Sequence, residues 1–280
     1  MIQAVSQIAK FGRRVLVKGM AWTGFPPDRI VAELVANQLG RQPDSEIRRI
    51  FEEYTDDQAR IHFGEHETLD EEHLRVVLRF FHAWRVLKLR ERIGPRLAYD
   101  RMLDVGDSDG LILKALGKTG TGFNLSPEAV KNIQRNGIEA RLGDGHGLPF
   151  EDAAFDDVLC FETLEHVENP HQVLLELARV TKPSGRAFVT IPWVPRTFIH
   201  PRDFGHPRGA MHIFEFCMED FQALLSHTPF TVEHREICHI LGQPETLNQR
   251  LFTFLHRWDH IVAGTFVGFQ FFELAKRDEV

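Results

Sequence analysis

Residues 101–126, RMLDVGDSDGLILKALGKTGTGFNLS, constrain the fold more than any other stretch of this 280-residue chain, because the hydrophobic period changes inside them. A short apolar run from Met102 to Val105 stops at Gly106 and Gly110. Leu111, Ile112, Ala115 and Leu116 then repeat at helical spacing, and a second extended run ends at Asn124. Strand, glycine turn, helix and strand make the repeating half of an α/β sheet. Glycine lets the turn bend sharply and admits a ligand close to the backbone, and the following helix aims unpaired N–H groups at the same spot. A polar ligand is expected there. Its class is narrowed by the spacing: Gly106-Asp107-Ser108-Asp109-Gly110 has no glycine in register for a pyrophosphate, and two aspartates would repel phosphate. The expected ligand is cationic or neutral at this turn.

Downstream, strand and helix alternate, which predicts a mostly parallel sheet with helices on both faces. Ser126-Pro127-Glu128 and Asn169-Pro170-His171 each place a capping side chain before a proline at the first helical position. Strands are expected near residues 120–124, 139–142, 157–161 and 186–191, and two β-rich runs, 231–240 and 265–275, are expected to close the sheet as an antiparallel hairpin. Between them, residues 249–261 read as an extra helix, with Phe252, Phe254 and Trp258 in a pocket or in the core. In an open sheet, ligands lie beyond the carboxyl ends of the strands. Asp104, Asn124, Asp144 and Glu162 all fall at or just past such ends, so one crevice can collect them.

The motif LDVGDSDG resembles the first motif of class I S-adenosylmethionine-dependent methyltransferases of the small-molecule type 11 kind, an acidic residue followed by x, Gly, x, Gly, x, Gly. Asp104, Gly106 and Gly110 match it, Ser108 replaces the middle glycine, and Asp107 is less usual. In GFNLSPEAV, Asn124 stands where the family usually has an acid that grips ribose hydroxyls; an amide accepts only through its oxygen. EARLGDGHGLPFEDAAFDDVLCFETLEHVENP resembles the third and fourth motifs, with Asp144 in the place that hydrogen-bonds the adenine amino group and Gly145 and His146 beside the ring. RVTKPSGRAFVTIP is similar to the family's turn and fifth strand, with Pro183 and Gly185 shaping the turn. The resemblance runs from about residue 97 onward. It implies a Rossmann-like class I methyltransferase sheet, S-adenosyl-L-methionine as cofactor, and a cofactor-binding set of Asp104, Gly106, Ser108, Gly110, Asn124, Leu125, Asp144, Gly145, His146, Phe161 and Glu162.

Residues 1–95 read as a helical cap preceding a methyltransferase domain at 96–280. Helices are expected from Asp28 onward, over 44–63 with Ile47, Ile50, Phe51 and Tyr54 on one stripe, and over 69–93 with a wide apolar face ended by Gly94-Pro95. Such a cap either closes over substrate or serves as a scaffold or dimer surface. At the N-terminus, Lys10, Arg13, Arg14 and Lys18 lie among Ile2, Val5, Ile8, Val15, Leu16 and Val17. That pattern suits contact with an anionic membrane surface, or, as the preferred reading, an amphipathic helix packed on the domain. Lys18 interrupts the apolar run a secretory signal would need, and no uninterrupted run reaches membrane-spanning length. Net charge −7 gives no general attraction to nucleic acid, so the expected partner is a small-molecule acceptor. Cys160, Cys217 and Cys238 form neither a metal-ligand pair nor an even disulfide framework, which suits a reducing, cytoplasmic setting.

Methyl transfer from a sulfonium is mainly a positioning task, and a base is needed only for a weakly acidic acceptor. The pool for such a base is Glu162, Glu165 and His166 after the fourth strand, with His200, His206 and His212 in the segment HPRDFGHPRGAMHIFEF, expected to loop over the acceptor. His166 also reads as a structural hydrogen-bonder. The spacing of His200, His206 and His212 matches no metal signature, and no metal is expected. Two functions remain: a methyltransferase acting on a small or medium-sized acceptor such as a saccharide, a lipid-linked molecule or a secondary metabolite, or a methyltransferase fold without turnover that binds or regulates.

Overall fold

The computed structural model describes residues 45–54, 79–98, 101–117, 120–194, 197–199, 212–239 and 268–277. The basic N-terminal stretch, the helix from Asp28, His200, His206 and the segment with Phe252, Phe254 and Trp258 lie outside the described residues. The chain divides into two compact units, one taking residues 1–94 and 238–268, the other 95–237 and 269–280.

In the first unit, helix α1 (Ser45–Glu53) packs against helix α2 (Arg79–Ile93). Ile47 and Ile50 of α1 are fully buried, as the stripe predicted, and Tyr54 stacks on His82 with ring centroids 4.5 Å apart. Arg79 Nε donates to Tyr54 O at 2.7 Å and Arg90 to Glu46, tying both ends of the pair. Burial of α2 goes beyond one apolar face: every residue from Phe80 to Leu89 is buried, Arg85 and Lys88 included. Their cations lie 6.0 Å from the Phe81 ring and 5.6 Å from the Trp84 ring, and the Lys88 ammonium also pairs with Glu91 at 3.2 Å, so aromatic faces are among the groups that take up the buried charge. Gly94, at φ +58°, ends α2 in the left-handed conformation that favours glycine.

The second unit is a seven-stranded sheet, laid down by β1 (Met102–Val105), helix α3 (Leu111–Ala115), β2 (Thr121–Asn124), α4 (Pro127–Arg135), β3 (Glu139–Leu142), β4 (Phe155–Phe161), α5 (Pro170–Val180) and β5 (Thr181–Pro192). A short ribbon, β6 (Phe198–Ile199) with β7 (Phe214–Glu215), precedes α6 (Met218–Ser226), and β8 (Phe230–His239) and β9 (Gly268–Lys276) complete it. Strand order is β3-β2-β1-β4-β5-β9-β8. The first four pairings are parallel and β9 runs antiparallel to β5. The start of β8 meets the end of β9, where Thr231 Oγ1 donates to Ala275 O and Arg277 N to Pro229 O. The Rossmann-like, mostly parallel sheet with a closing antiparallel pair is therefore as expected. β1 is buried along its whole length, as a central parallel strand with both faces covered must be.

Both proline-marked helix starts form. Ser126 Oγ accepts from Ala129 N, and Asn169 Oδ1 from Gln172 N at 3.1 Å, with Pro127 and Pro170 supplying preset first-turn φ. The turn expected at Pro183 and Gly185 is instead taken into β5: between the pairs Phe155↔Thr181 and Asp157↔Arg186 the strand carries extra residues and bulges. Gly185 sits where β5 passes closest to β4, since a Cβ there would lie 2.4 Å from Asp156 O.

Arg179, which sequence reasoning did not single out, fastens α5 to the loop after β3. Its guanidinium donates to Leu148 O at 2.9 Å, Phe150 O at 2.8 Å, Asp152 at 2.8 Å and both oxygens of Glu176, while Glu176 accepts from Leu148 N. That fork holds the Glu176 carboxyl below its ordinary range. Arg179→Met keeps the apolar stem but removes every donor, and is expected to cost about 2 kcal/mol, read as a lower urea midpoint with unchanged slope.

Candidate active site

Hydrogen bonds that continue the ladder one residue past the strands align the sheet's carboxyl ends. Gly106 N donates to Phe123 O at 2.8 Å, Gly143 N to Asn124 O at 3.0 Å and Glu162 N to Thr190 O at 3.0 Å. Asp104, Gly106, Asn124, Leu125, Asp144, Phe161 and Glu162 are thereby gathered along one edge of the sheet. Asp104 itself is buried, opposite Gly122 on one side and Leu159 on the other. Its charge, with that of Glu165, adds to burial in pushing the Cys160 thiol up, so both acids lie near that core cysteine.

The turn after β1 is built differently from the expectation that α3 offers open N–H groups. Asp107 Oδ1 accepts from Asp109 N at 3.0 Å and Gly110 N at 2.7 Å, and Asp109 Oδ1 accepts from Leu111 N at 3.0 Å. The aspartates consume the donors an anion would use, which is the physical reason the turn is closed to phosphate. Both side chains are buried. Burial is the main cause that raises Asp107 to about 6; burial first and then the neighbouring Asp107 charge raise Asp109 to about 7. The glycines too are spent on packing. Gly106, at φ +88°, has Thr163 Oγ1 2.0 Å from where a Cβ would lie, and Gly110, at φ +76°, has Ile133 and Ile138 at 3.2 Å.

Asn124 is likewise engaged within the protein. Its Nδ2 donates to Asp107 O at 2.7 Å and its Oδ1 accepts from Ser126 N at 2.8 Å, so it joins the first turn to the start of α4. Beside it stand two apolar side chains, Leu125 at 71% and Leu142 at 53% exposure, the exposed large hydrophobics among the described residues. Sequence reasoning named Leu125 and missed Leu142. Next in the chain, Asp144 accepts two bonds at Oδ1, from His146 N at 2.9 Å and the His146 ring at 2.6 Å, which leaves Oδ2 for an incoming donor. These bonds hold the Asp144 carboxyl below its ordinary range. His146 Nε2 accepts from Asn169 N at 3.2 Å, so the proton sits on Nδ1 and is donated to Asp144. His146 thus couples Asp144 to the cap of α5.

At the end of β4, Glu162 adopts φ +46°, an unfavourable backbone for a residue with a side chain and one that clusters at functional sites. Thr163 Oγ1 donates to Phe161 O at 2.9 Å and reaches Val105 O at 3.4 Å, sealing the turn at Gly106. The His166 and His212 rings meet edge to face with centroids 4.8 Å apart, so two of the candidate bases come together. The segment that holds His200 and His206 leaves and returns through paired strands, Phe198↔Glu215 and Ile199↔Phe214. Among the described residues no helix is long and apolar enough to cross a membrane.

Residues 103–189 match the family of methyltransferase domains. Over these residues the chain is similar to a methyltransferase domain. The methyltransferase domain is 36% identical over 113 residues to the ubiquinone biosynthesis O-methyltransferase of Xanthomonas oryzae pv. oryzae, covering 36% of this chain and 47% of that one. It is 33% identical over 146 residues to the demethylmenaquinone methyltransferase of Tropheryma whipplei, covering 49% and 57%. The chain thus spans about half the length of the curated relatives it matches. In fold it is similar to the YcgJ protein of Bacillus subtilis, with a TM-score of 0.50, 19% identity and coverage of 70% of this chain and 99% of that one. A second solved neighbour is the Burkholderia thailandensis 1,6-didemethyltoxoflavin-N1-methyltransferase with bound S-adenosylhomocysteine, with a TM-score of 0.50, 16% identity and coverage of 69% and 76%. The resemblance stated on the motifs is borne out for the methyltransferase domain.

Proposed function

We propose that this chain is an S-adenosylmethionine-dependent methyltransferase acting on a small or medium-sized organic acceptor. The observation that carries the reading is the pairing of an apolar platform with one aimed acceptor: Leu125 and Leu142 stand exposed at the ends of β2 and β3, and Asp144 follows with Oδ2 open. A planar heterocycle with an exocyclic amine fits that combination, the leucines covering its face and Asp144 taking its N–H. Bound S-adenosylmethionine would supply a methyl group already activated on a sulfonium. The chain's own residues then have a positioning role: the Gly106 turn, held by Thr163 and Asn124, fixes the floor, and His146 fixes Asp144. The relatives named for ubiquinone and demethylmenaquinone support a small organic acceptor, and three buried cysteines outside any disulfide fit a cytoplasmic enzyme.

Calorimetric titration with S-adenosylhomocysteine tests the reading. Asp144→Ala removes a charge-assisted hydrogen bond and is expected to weaken binding about 10- to 100-fold. His146→Phe is expected to weaken it less, by freeing Asp144 from its orientation. A second reading, a methyltransferase fold without turnover, is favoured by Asn124, whose amide is already bonded on both sides where the family's ribose-gripping acid would stand. Absence of binding at millimolar S-adenosylhomocysteine would decide for it.

A further inference from the structure

We propose that Glu165, His166 and His212 form a binding site for a first-row divalent metal ion, zinc being the best-matched, with Glu215 orienting His212. One ligand atom from each of the three residues lies within 4.8 Å of the other two. Glu165 and His166 are consecutive after β4 and His212 precedes β7, and the backbone holds these two parts together: Ile213 N donates to Glu165 O at 2.6 Å and Phe214 N to the same oxygen at 3.2 Å. Glu165 is buried, His212 half-buried and His166 exposed, so a fixed carboxylate lies beneath two imidazoles, one of them open to solvent. His212 Nδ1 meets Glu215 Oε1 at 2.8 Å, which leaves Nε2 as the ligating nitrogen. A carboxylate holding the far nitrogen of a ligating histidine is the arrangement that fixes tautomer and ring direction in metal sites.

Two imidazoles and one carboxylate select among cations. They suit zinc and its first-row neighbours, whereas magnesium and calcium favour all-oxygen sets. In a tetrahedral zinc site with bonds of about 2.0–2.2 Å the ligand atoms stand roughly 3.3 Å apart, so the cluster must draw in by about 1.5 Å at most. Rotation of the two histidine side chains supplies that movement. Three protein ligands leave the fourth position for water or a substrate oxygen. Glu165 lies two residues past Thr163, the side chain that seals the Gly106 turn, so the metal stands at the cofactor edge of the sheet. If the methyltransferase reading holds, on which this role rests, an acceptor hydroxyl on the fourth position loses its proton to water more readily. Its oxygen then forms the bond to the methyl carbon while the carbon–sulfur bond breaks and its electron pair returns to sulfur.

The test is titration of untagged full-length protein with Zn2+, and separately with Co2+ followed by visible absorption. One equivalent is expected to bind, with cobalt bands characteristic of a low-coordinate nitrogen and oxygen site. His212→Ala and His166→Ala are each expected to weaken Zn2+ at least 10-fold, and Glu215→Gln about 10-fold through loss of orientation. Thermal melts and S-adenosylhomocysteine titrations on the same samples report folding independently. Zn2+ binding of equal strength in folded wild type and both histidine variants, or no binding at millimolar Zn2+, would overturn the proposal. Zn2+ binding that depends on both histidines in a protein that ignores S-adenosylhomocysteine would sustain the site and remove the methyltransferase reading instead.

Discussion

Gly106→Ala is expected to abolish measurable S-adenosylhomocysteine binding and to destabilise the domain by on the order of 3–4 kcal/mol. Two independent costs add. At φ +88° an alanine takes up a left-handed conformation that its Cβ disfavours by about 1–2 kcal/mol. The same Cβ would stand 2.0 Å from Thr163 Oγ1, 2.8 Å from its Cγ2 and 2.9 Å from its Cβ. Thr163 has little freedom to retreat, because its hydroxyl is bonded to Phe161 O and directed at Val105 O. Relief must come from moving the turn itself, and the turn carries Asn124 and the start of α3 with it. A double-mutant cycle with Thr163→Ala checks the mechanism: removing Oγ1 and Cγ2 leaves only the Cβ contact, so the pair is expected to recover part of the loss. An additive cycle, or a Gly106→Ala protein as stable as wild type, would show that Thr163 is not the obstacle.

Periodicity and punctuation were enough for the sheet, since the change from strand to helix spacing at Gly106 and Gly110 and the Ser126-Pro127 and Asn169-Pro170 starts are local signals that the structure obeys. Local signals also placed Asp104, Asn124, Asp144 and Glu162 at or just past the carboxyl ends of their strands. They did not reveal what the groups there do to one another. A glycine that admits a ligand and a glycine that yields room to Thr163 look alike in a sequence. Asp107 and Asp109 read as charges facing a ligand, whereas their carboxylates fold back onto the N–H groups of the turn. Leu142 read as an ordinary strand residue, and only the end of the sheet leaves it exposed. The meeting of Glu165 and His166 with His212 depends on how the segment after β5 returns past β4, which no spacing rule between histidines encodes.

Stability is expected to fall as pH rises from about 4 to about 7, through the two acids of the turn. In the folded chain Asp107 is raised to about 6 and Asp109 to about 7 from ordinary values near 3.8. Across that interval the folded state holds protons that the unfolded chain has released, so each step up in pH favours unfolding, and the loss levels off above about 7. For Asp109 the full difference is on the order of 4 kcal/mol, at about 1.4 kcal/mol for each pH unit between the two values. Asp109→Asn keeps an oxygen for Leu111 N while removing the ionisation, so it is expected to raise the melting temperature markedly at pH 8 and hardly at all at pH 4. A pH-independent gain would assign the effect to packing instead of charge. Two acids held at this cost beneath a ligand turn make sense if the ligand brings positive charge, because a cation nearby lowers both values and recovers the loss. S-adenosylmethionine, with its sulfonium, is therefore expected to gain affinity relative to S-adenosylhomocysteine as pH rises from 5.5 to 8, and Asp107→Asn with Asp109→Asn should flatten that trend.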